Sequence, residues 1–135
     1  MDKTTKYAVF GSGSWATAIV KMLCENLDEV GWYMRSVYTK AHILKEQHNP
    51  SYLSSVEFHT EQLKLSNDIN EIADWADVLI FVIPSAFIHT ELQKLTVDIS
   101  HKVVVSAVKG IIPETGLLVG EHFHDHYNIS FENIG

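Results

Sequence analysis

Hydrophobic residues occur along this chain in two alternating patterns: short continuous apolar runs, and longer segments with an apolar residue at every third or fourth position. The apolar runs predict β-strands at about 7–10, 30–34, 63–66, 78–83 and 102–106. The periodic segments predict helices at about 14–26, 37–48, 69–76, 87–95 and 117–126. Strands that alternate with helices, without internal repeats, predict an α/β fold with a doubly wound parallel sheet of the Rossmann type.

A glycine pair joins the first predicted strand to the first predicted helix, in the segment Gly11-Ser12-Gly13-Ser14-Trp15-Ala16. Gly11 permits a tight turn after the strand, and Gly13 leaves room for a pyrophosphate to approach the backbone. The free N–H groups and the positive dipole end of the helix favour that negative charge. Ala16 takes the place of a third glycine, where helix and strand pack closely. The segment therefore predicts a dinucleotide-binding βαβ unit.

Arg35 follows the second predicted strand, about 20 residues beyond the glycine pair, where such folds place the group that contacts the adenosine ribose. An acidic residue there is typical of NAD-specific folds, whereas Arg35 could pair with a 2′-phosphate. The sequence therefore favours NADPH, with NADH and a solvated strand end as the open alternatives. The segment 129–135 lies where a sixth strand would begin, so we expect residues 1–135 to form one NAD(P)-binding domain truncated there.

Composition narrows the class of protein. The chain has 135 residues, 46% of them hydrophobic and 20% charged, which is typical of a soluble globular domain. Its net charge of −7 argues against a nucleic-acid partner. No apolar run is long enough for membrane insertion and no signal-peptide pattern occurs, so we expect a cytoplasmic protein. Its one cysteine, Cys24, cannot form an internal disulfide, and we expect it to pack as a small apolar group.

Four segments in order along the chain resemble the NAD(P)-dependent glycerol-3-phosphate dehydrogenases. They are Gly11-Ser12-Gly13-Ser14-Trp15-Ala16-Thr17-Ala18, Asn49-Pro50-Ser51-Tyr52-Leu53, Ala76-Asp77-Val78-Leu79-Ile80-Phe81-Val82-Ile83-Pro84-Ser85 and Ser106-Ala107-Val108-Lys109-Gly110-Ile111-Ile112-Pro113-Glu114-Thr115-Gly116. Because these segments span the chain, the resemblance is more specific than the glycine pair alone.

The resemblance implies roles for particular residues. Ser14 and Trp15 would lie against the cofactor pyrophosphate and ribose, Phe87 would line the cofactor groove, and Tyr52 would lie near the adenine. Lys109 would contact both the substrate and the nicotinamide ribose. Lys109 also follows the fifth predicted strand, at the sheet edge where ligands of such folds bind. From the residues alone, core packing remains an alternative for Trp15 and Phe87, and an ordinary strand-end lysine for Lys109.

The resemblance further implies the reduction of dihydroxyacetone phosphate to sn-glycerol 3-phosphate, which supplies glycerophospholipid synthesis. It implies a main proton donor in a helical C-terminal domain that this chain lacks, and a homodimeric full-length protein. We therefore expect the chain to bind cofactor with little or no turnover. A nucleotide-sensing regulatory domain and a related hydroxy-acid dehydrogenase are the alternatives.

Three histidines alternate along the last predicted helix. His122 and His126 share a face at a spacing of four residues, which raises the possibility of a metal site. No carboxylate or cysteine partner motif accompanies them, and the C-terminal end of a helix favours cations. We therefore expect a solvated helix end and no metal.

Overall fold

The computed structural model of the protein describes residues 4–51, 53, 55–107 and 119–135. Five parallel strands form one sheet: β1 (Tyr7–Phe10), β2 (Val30–Tyr33), β3 (Leu63–Ser66), β4 (Val78–Phe81) and β5 (Val103–Ser106). Their spatial order is β3-β2-β1-β4-β5, so the chain reverses its direction of winding between β1 and β4. This topology confirms the predicted doubly wound sheet and creates a crevice at the carboxyl ends of those two strands.

Helices cover both faces of the sheet: α1 (Ser14–Cys24), α2 (Val37–Glu46), α3 (Ile69–Trp75), α4 (Ser85–Leu92) and α5 (Val119–Tyr127). The four helices α1 to α4 all end one to three residues earlier than their apolar patterns predict. The last turn of α2 closes when Gln47 adopts a left-handed conformation, with φ of 67° and its N–H bonded to the Ile43 carbonyl at 2.8 Å. A glycine usually signals such an end, and none occurs here.

Two hydrophobic clusters form the core, one on each face of the sheet. Val9 of β1 packs with α1 and α2, whereas its neighbours Ala8 and Phe10 pack with α3, α4 and α5. This alternation follows from the two-residue period of a strand. Cys24 packs, as expected, against the cluster that contains Val9, and burial raises the pKa of its thiol to about 11. The thiol is therefore protonated and unreactive near neutral pH.

Beyond β5, Ile134 forms a parallel bridge with Val104 at the sheet edge. The Gly135 N–H donates to the Val104 carbonyl at 2.8 Å, and the Ser106 N–H donates to the Gly135 carbonyl at 2.9 Å. The last two residues therefore pair as a strand would, and the domain boundary itself stays a prediction. In the described part of the chain, no helix combines the length and apolar character needed to cross a membrane.

Candidate functional site

Gly11 makes the turn that carries the chain out of β1. Its φ is +133°, and a Cβ there would lie 2.5 Å from the Val82 carbonyl oxygen and 3.0 Å from the carbonyl carbon. Its N–H donates to the Tyr33 carbonyl at 3.0 Å. The turn is thus held between the ends of β2 and β4, and only glycine fits it without strain.

Three side chains bind the carbonyl oxygens of the glycine turn from the protein side. Trp32 Nε1 donates to the Gly11 carbonyl at 2.6 Å, and Asn49 Nδ2 donates to the Ser12 carbonyl at 3.0 Å. Thr17 Oγ1 donates to the Gly13 carbonyl at 2.7 Å and accepts from Asn49 Nδ2 at 3.2 Å. In a trans peptide the N–H points opposite to the C=O. Because the carbonyls of Gly11, Ser12 and Gly13 face these partners, the N–H groups of the residues that follow them, Ser12, Gly13 and Ser14, point away from these side chains.

Gly13 immediately precedes α1 and leaves space for a ligand. No heavy atom lies within 4 Å of where its Cβ would stand, and as the N-cap residue it has no side chain to accept from the first helical turn. That turn also contains no acidic residue. The first N–H groups of α1 and its dipole are therefore available to an anion, which is the donor set that a pyrophosphate needs.

A cleft of about 650 Å³ opens over this turn at the carboxyl edge of the sheet. Eight residues singled out from the sequence line it: Gly11, Ser12, Gly13, Ser14, Trp15, Ala16, Arg35 and Phe87. The other two, Tyr52 and Lys109, lie outside the described residues. Ala107, which lines the cleft beyond β5, is the nearest described residue to Lys109 along the chain.

Trp15 and Phe87 are exposed, with 74% and 58% of their surfaces accessible. The core-packing alternative is therefore wrong for both residues. The residue that follows each of them, Ala16 or Ile88, is fully buried in the core. The aromatic rings of Trp15 and Phe87 lie on the opposite side, where they line the cleft. Two exposed aromatic rings beside the glycine turn suit a flat, partly apolar ligand.

The end of the cleft at β2 contains opposite charges. Arg35 is exposed there, and the buried carboxylate of Glu91 on α4 lines the floor. Tyr33 Oη donates to Glu91 Oε2 at 2.5 Å, and Lys94 Nζ lies 3.1 Å from Glu91 Oε1. Burial, followed by the hydrogen bond to Glu91 and its charge, raises the pKa of Tyr33 well above its usual range. The phenol therefore remains a donor at physiological pH.

Sequence reasoning missed Glu91 and Asn49. Glu91 stands three residues after the buried Ile88 and one before Leu92, on the buried face of α4, so its position on that face was the available signal. Asn49 is 1% exposed and begins the Asn49-Pro50-Ser51 segment already noted for its resemblance. No role was assigned to its side chain, and the structure places it against the glycine turn 37 residues away.

The expectation of a solvated histidine end is wrong for His122. Its ring is 3% exposed and packs against His126 at 4.3 Å and His89 of α4 at 5.9 Å, between ring centroids. Burial, and then the charges of His126 and His89, lower the pKa of His122 to about 4. The periodicity of α5 does not indicate this burial, because the burial arises where α5 packs against α4. Within the described ranges, no three potential ligands converge to hold a metal ion.

Comparisons with known proteins agree with this geometry. The family described as NAD-dependent glycerol-3-phosphate dehydrogenase N-terminus matches residues 6–133. A glycerol-3-phosphate dehydrogenase [NAD(P)+] of Nitratidesulfovibrio vulgaris is 34% identical over 121 residues, which cover 89% of this chain and 36% of that protein. The corresponding protein of Ectopseudomonas mendocina is 30% identical over 121 residues, 90% of this chain and 35% of its own length.

A solved structure of the Dunaliella salina protein named DsGPDH has the same fold, with a TM-score of 0.80 at 24% identity over 93% of this chain and 28% of that one. This chain thus spans about a third of the length of the curated relatives that it matches. It belongs to the NAD-dependent glycerol-3-phosphate dehydrogenase family and corresponds to the N-terminal part of that family's members.

Proposed function

We propose that this chain is the cofactor-binding part of an NAD(P)H-dependent oxidoreductase that interconverts dihydroxyacetone phosphate and sn-glycerol 3-phosphate. One observation carries the proposal: the uncapped start of α1 and the glycine turn face a cleft at the point where the sheet reverses its winding. Ligands of doubly wound sheets bind in such crevices. Membership of the family supplies the reaction class.

The residues of the cleft divide the work of holding the cofactor. The N–H groups from Ser12 to Ala16 would bind the pyrophosphate, and Trp15 and Phe87 would cover its two sides. Arg35 would contact the adenosine end, because it follows β2. When bound, the nicotinamide supplies or accepts the hydride.

Lys109 is proposed to act at the substrate. It lies two residues beyond Ala107, which lines the cleft past the carboxyl end of β5. An ammonium group there would bind the substrate and stabilise negative charge on the carbonyl oxygen as the ketone is reduced. The main proton donor and the ligands of the substrate phosphate are proposed to lie in the part of the relatives that this chain does not match. We therefore expect binding of cofactor with little or no turnover by the chain alone.

Arg35 supports a preference for NADPH, since a guanidinium can pair with a 2′-phosphate in two hydrogen bonds. The proposal is tested by titrating the chain with NADPH and NADH while the emission of the exposed Trp15 is followed. Both dinucleotides are expected to quench it, with tighter binding of NADPH that is lost in Arg35→Ala. Lys45→Ala, which removes an exposed cation from the last turn of α2, is the matched control and should bind as the wild type does.

Failure of the wild-type chain to bind either dinucleotide would contradict the proposed function. Rapid reduction of dihydroxyacetone phosphate by the chain alone would contradict the proposal that the main proton donor and the ligands of the substrate phosphate lie in the part of the relatives that this chain does not match. The cytoplasmic location, the homodimer and the supply of glycerophospholipid synthesis stay predictions.

A further inference from the structure

Glu91 is an acidic residue in the cleft to which the proposed function assigns no role. It is 5% exposed and lines the same cleft as Arg35 and the glycine turn. A buried carboxylate is costly unless it is paired, and a negative charge beside a site for phosphate groups opposes ligand binding. Its presence there therefore requires an account.

The contacts of Glu91 hold its charge at the β2 end of the cleft. Tyr33 Oη donates to one carboxylate oxygen at 2.5 Å, and the Lys94 ammonium lies 3.1 Å from the other. Tyr33 lies two residues before Arg35 in the sequence, and both residues line the cleft together with Glu91. The charges of Glu91 and Arg35 both act on the Tyr33 phenol, with opposite effects on its pKa. The acid and the guanidinium therefore act on one small region.

That region is where the adenosine ribose of a dinucleotide lies, because the ribose contact of a doubly wound fold is made at the end of β2. NADH has a neutral 2′-hydroxyl there, and NADPH has a phosphate with nearly two negative charges. A fixed negative charge discriminates between these two groups, as a fixed positive charge does in the opposite direction.

We propose that Glu91 is a specificity-determining residue, whose negative charge at the floor of the cleft opposes Arg35 and lowers the preference for NADPH over NADH. The inference rests on the proposed function, since it requires a dinucleotide in this cleft. Lys94 also affects this preference, because it forms an ion pair with Glu91. Its ammonium partly neutralises Glu91, and its side chain, 49% exposed, approaches from the solvent side.

Three substitutions separate this role from a purely structural one. Glu91→Gln removes the charge and keeps both the shape and an acceptor for Tyr33. Lys94→Met removes the neutralising ammonium from a half-exposed position. Tyr33→Phe removes the hydrogen bond and leaves the charge. A residue that only braced α4 would change the affinity for both dinucleotides by the same factor.

The test is a set of equilibrium titrations of NADH and NADPH at low ionic strength, with folding of each variant checked by far-UV circular dichroism. Glu91→Gln is expected to shift the ratio of the two dissociation constants toward NADPH by about three- to tenfold, the size of one charge acting across a partly solvated cleft. Lys94→Met is expected to shift the ratio toward NADH by about two- to threefold, because its charge is more exposed. Tyr33→Phe should leave the ratio within about twofold of the wild type, since it changes no charge.

A ratio that stays within about twofold of the wild type in Glu91→Gln, or moves toward NADH, would overturn the inference while leaving the proposed function standing. A shift in Lys94→Met toward NADPH would overturn it as well. Because Lys94 is half exposed, this variant is expected to fold and provides the test even if Glu91→Gln does not fold. A wild-type chain that binds neither dinucleotide would overturn the proposed function, and the inference with it.

Discussion

Substitution by alanine is expected to have opposite effects at the two glycines of the turn: it should destabilise the fold at Gly11 and weaken dinucleotide binding at Gly13. Gly11→Ala introduces a methyl group at a φ of +133°, a conformation that L residues rarely adopt. The methyl carbon would also lie 2.5 Å from the Val82 carbonyl oxygen, where the neighbouring atom belongs to the backbone and cannot turn aside. Gly13→Ala introduces the same methyl group into open space, at an extended N-cap with φ of −77°.

The magnitudes follow from these two environments. Backbone strain at Gly11 costs about 1–3 kcal/mol, and forcing β1 and β4 apart adds about 1–3 kcal/mol. We therefore expect Gly11→Ala to lower the free energy of unfolding by about 3–5 kcal/mol, a large part of the total for a domain of this size. Gly13→Ala is expected to change it by less than about 1 kcal/mol, because it loses only the small advantage of glycine at an N-cap.

Urea unfolding followed by far-UV circular dichroism measures both changes, and a dinucleotide titration of each folded variant completes the comparison. Gly13→Ala should stay folded and bind the dinucleotide at least tenfold more weakly, since its methyl group projects into the cleft where the pyrophosphate is proposed to lie. A Gly11→Ala variant within about 1 kcal/mol of the wild type would refute the steric argument. Unchanged affinity in Gly13→Ala would refute the placement of the pyrophosphate.

Two further predictions concern Asn49 and His122, whose burial the sequence did not indicate. Asn49→Ala is expected to lower the free energy of unfolding by about 2–4 kcal/mol, because it leaves the Ser12 carbonyl and the Thr17 hydroxyl without their buried donor. Urea unfolding measures this loss. Asn26→Ala is the exposed control and is expected to cost less than about 0.5 kcal/mol. The pKa of His122 is lowered from 6.5 to about 4 in the folded chain, so the unfolded chain binds its proton more readily and stability falls as the pH drops from 6.5 toward 4. Urea unfolding at several pH values between 7 and 4 should give a loss of about 3 kcal/mol from this group. His122→Leu should remove that part of the pH dependence, and an unchanged dependence would contradict the assignment.

The sheet could be predicted closely because its strands are short apolar runs bounded by polar residues. β1 and β3 have the predicted boundaries, and the order of the elements fixed a parallel topology. Helix ends were less accurate. Gln47, which ends α2, carries no sequence signal for a left-handed conformation. Tertiary packing on α4 buried His122, and no periodicity within α5 indicated it.

The glycine turn could be predicted because its requirement is local: the spacing of Gly11 and Gly13 reports the backbone conformation directly. Asn49 and Glu91 could not be assigned in the same way, since each acts through contacts with residues 37 and 58 positions away. The exposure of Trp15 likewise depends on the cleft that the whole sheet creates. Sequence patterns therefore identify the turn, while the polar contacts that hold it and adjust its charge depend on the fold.

The most direct test of dinucleotide binding in the cleft is a chemical-shift map of the isotopically labelled chain titrated with NADH. The 15.3 kDa size of the chain suits this measurement. The largest amide shifts are expected in the segment 11–16, at Arg35 and in the first turn of α4, with little change at the amino end of β5 near Val103. Saturable shifts confined to that opposite edge, or no shifts at all, would contradict the account.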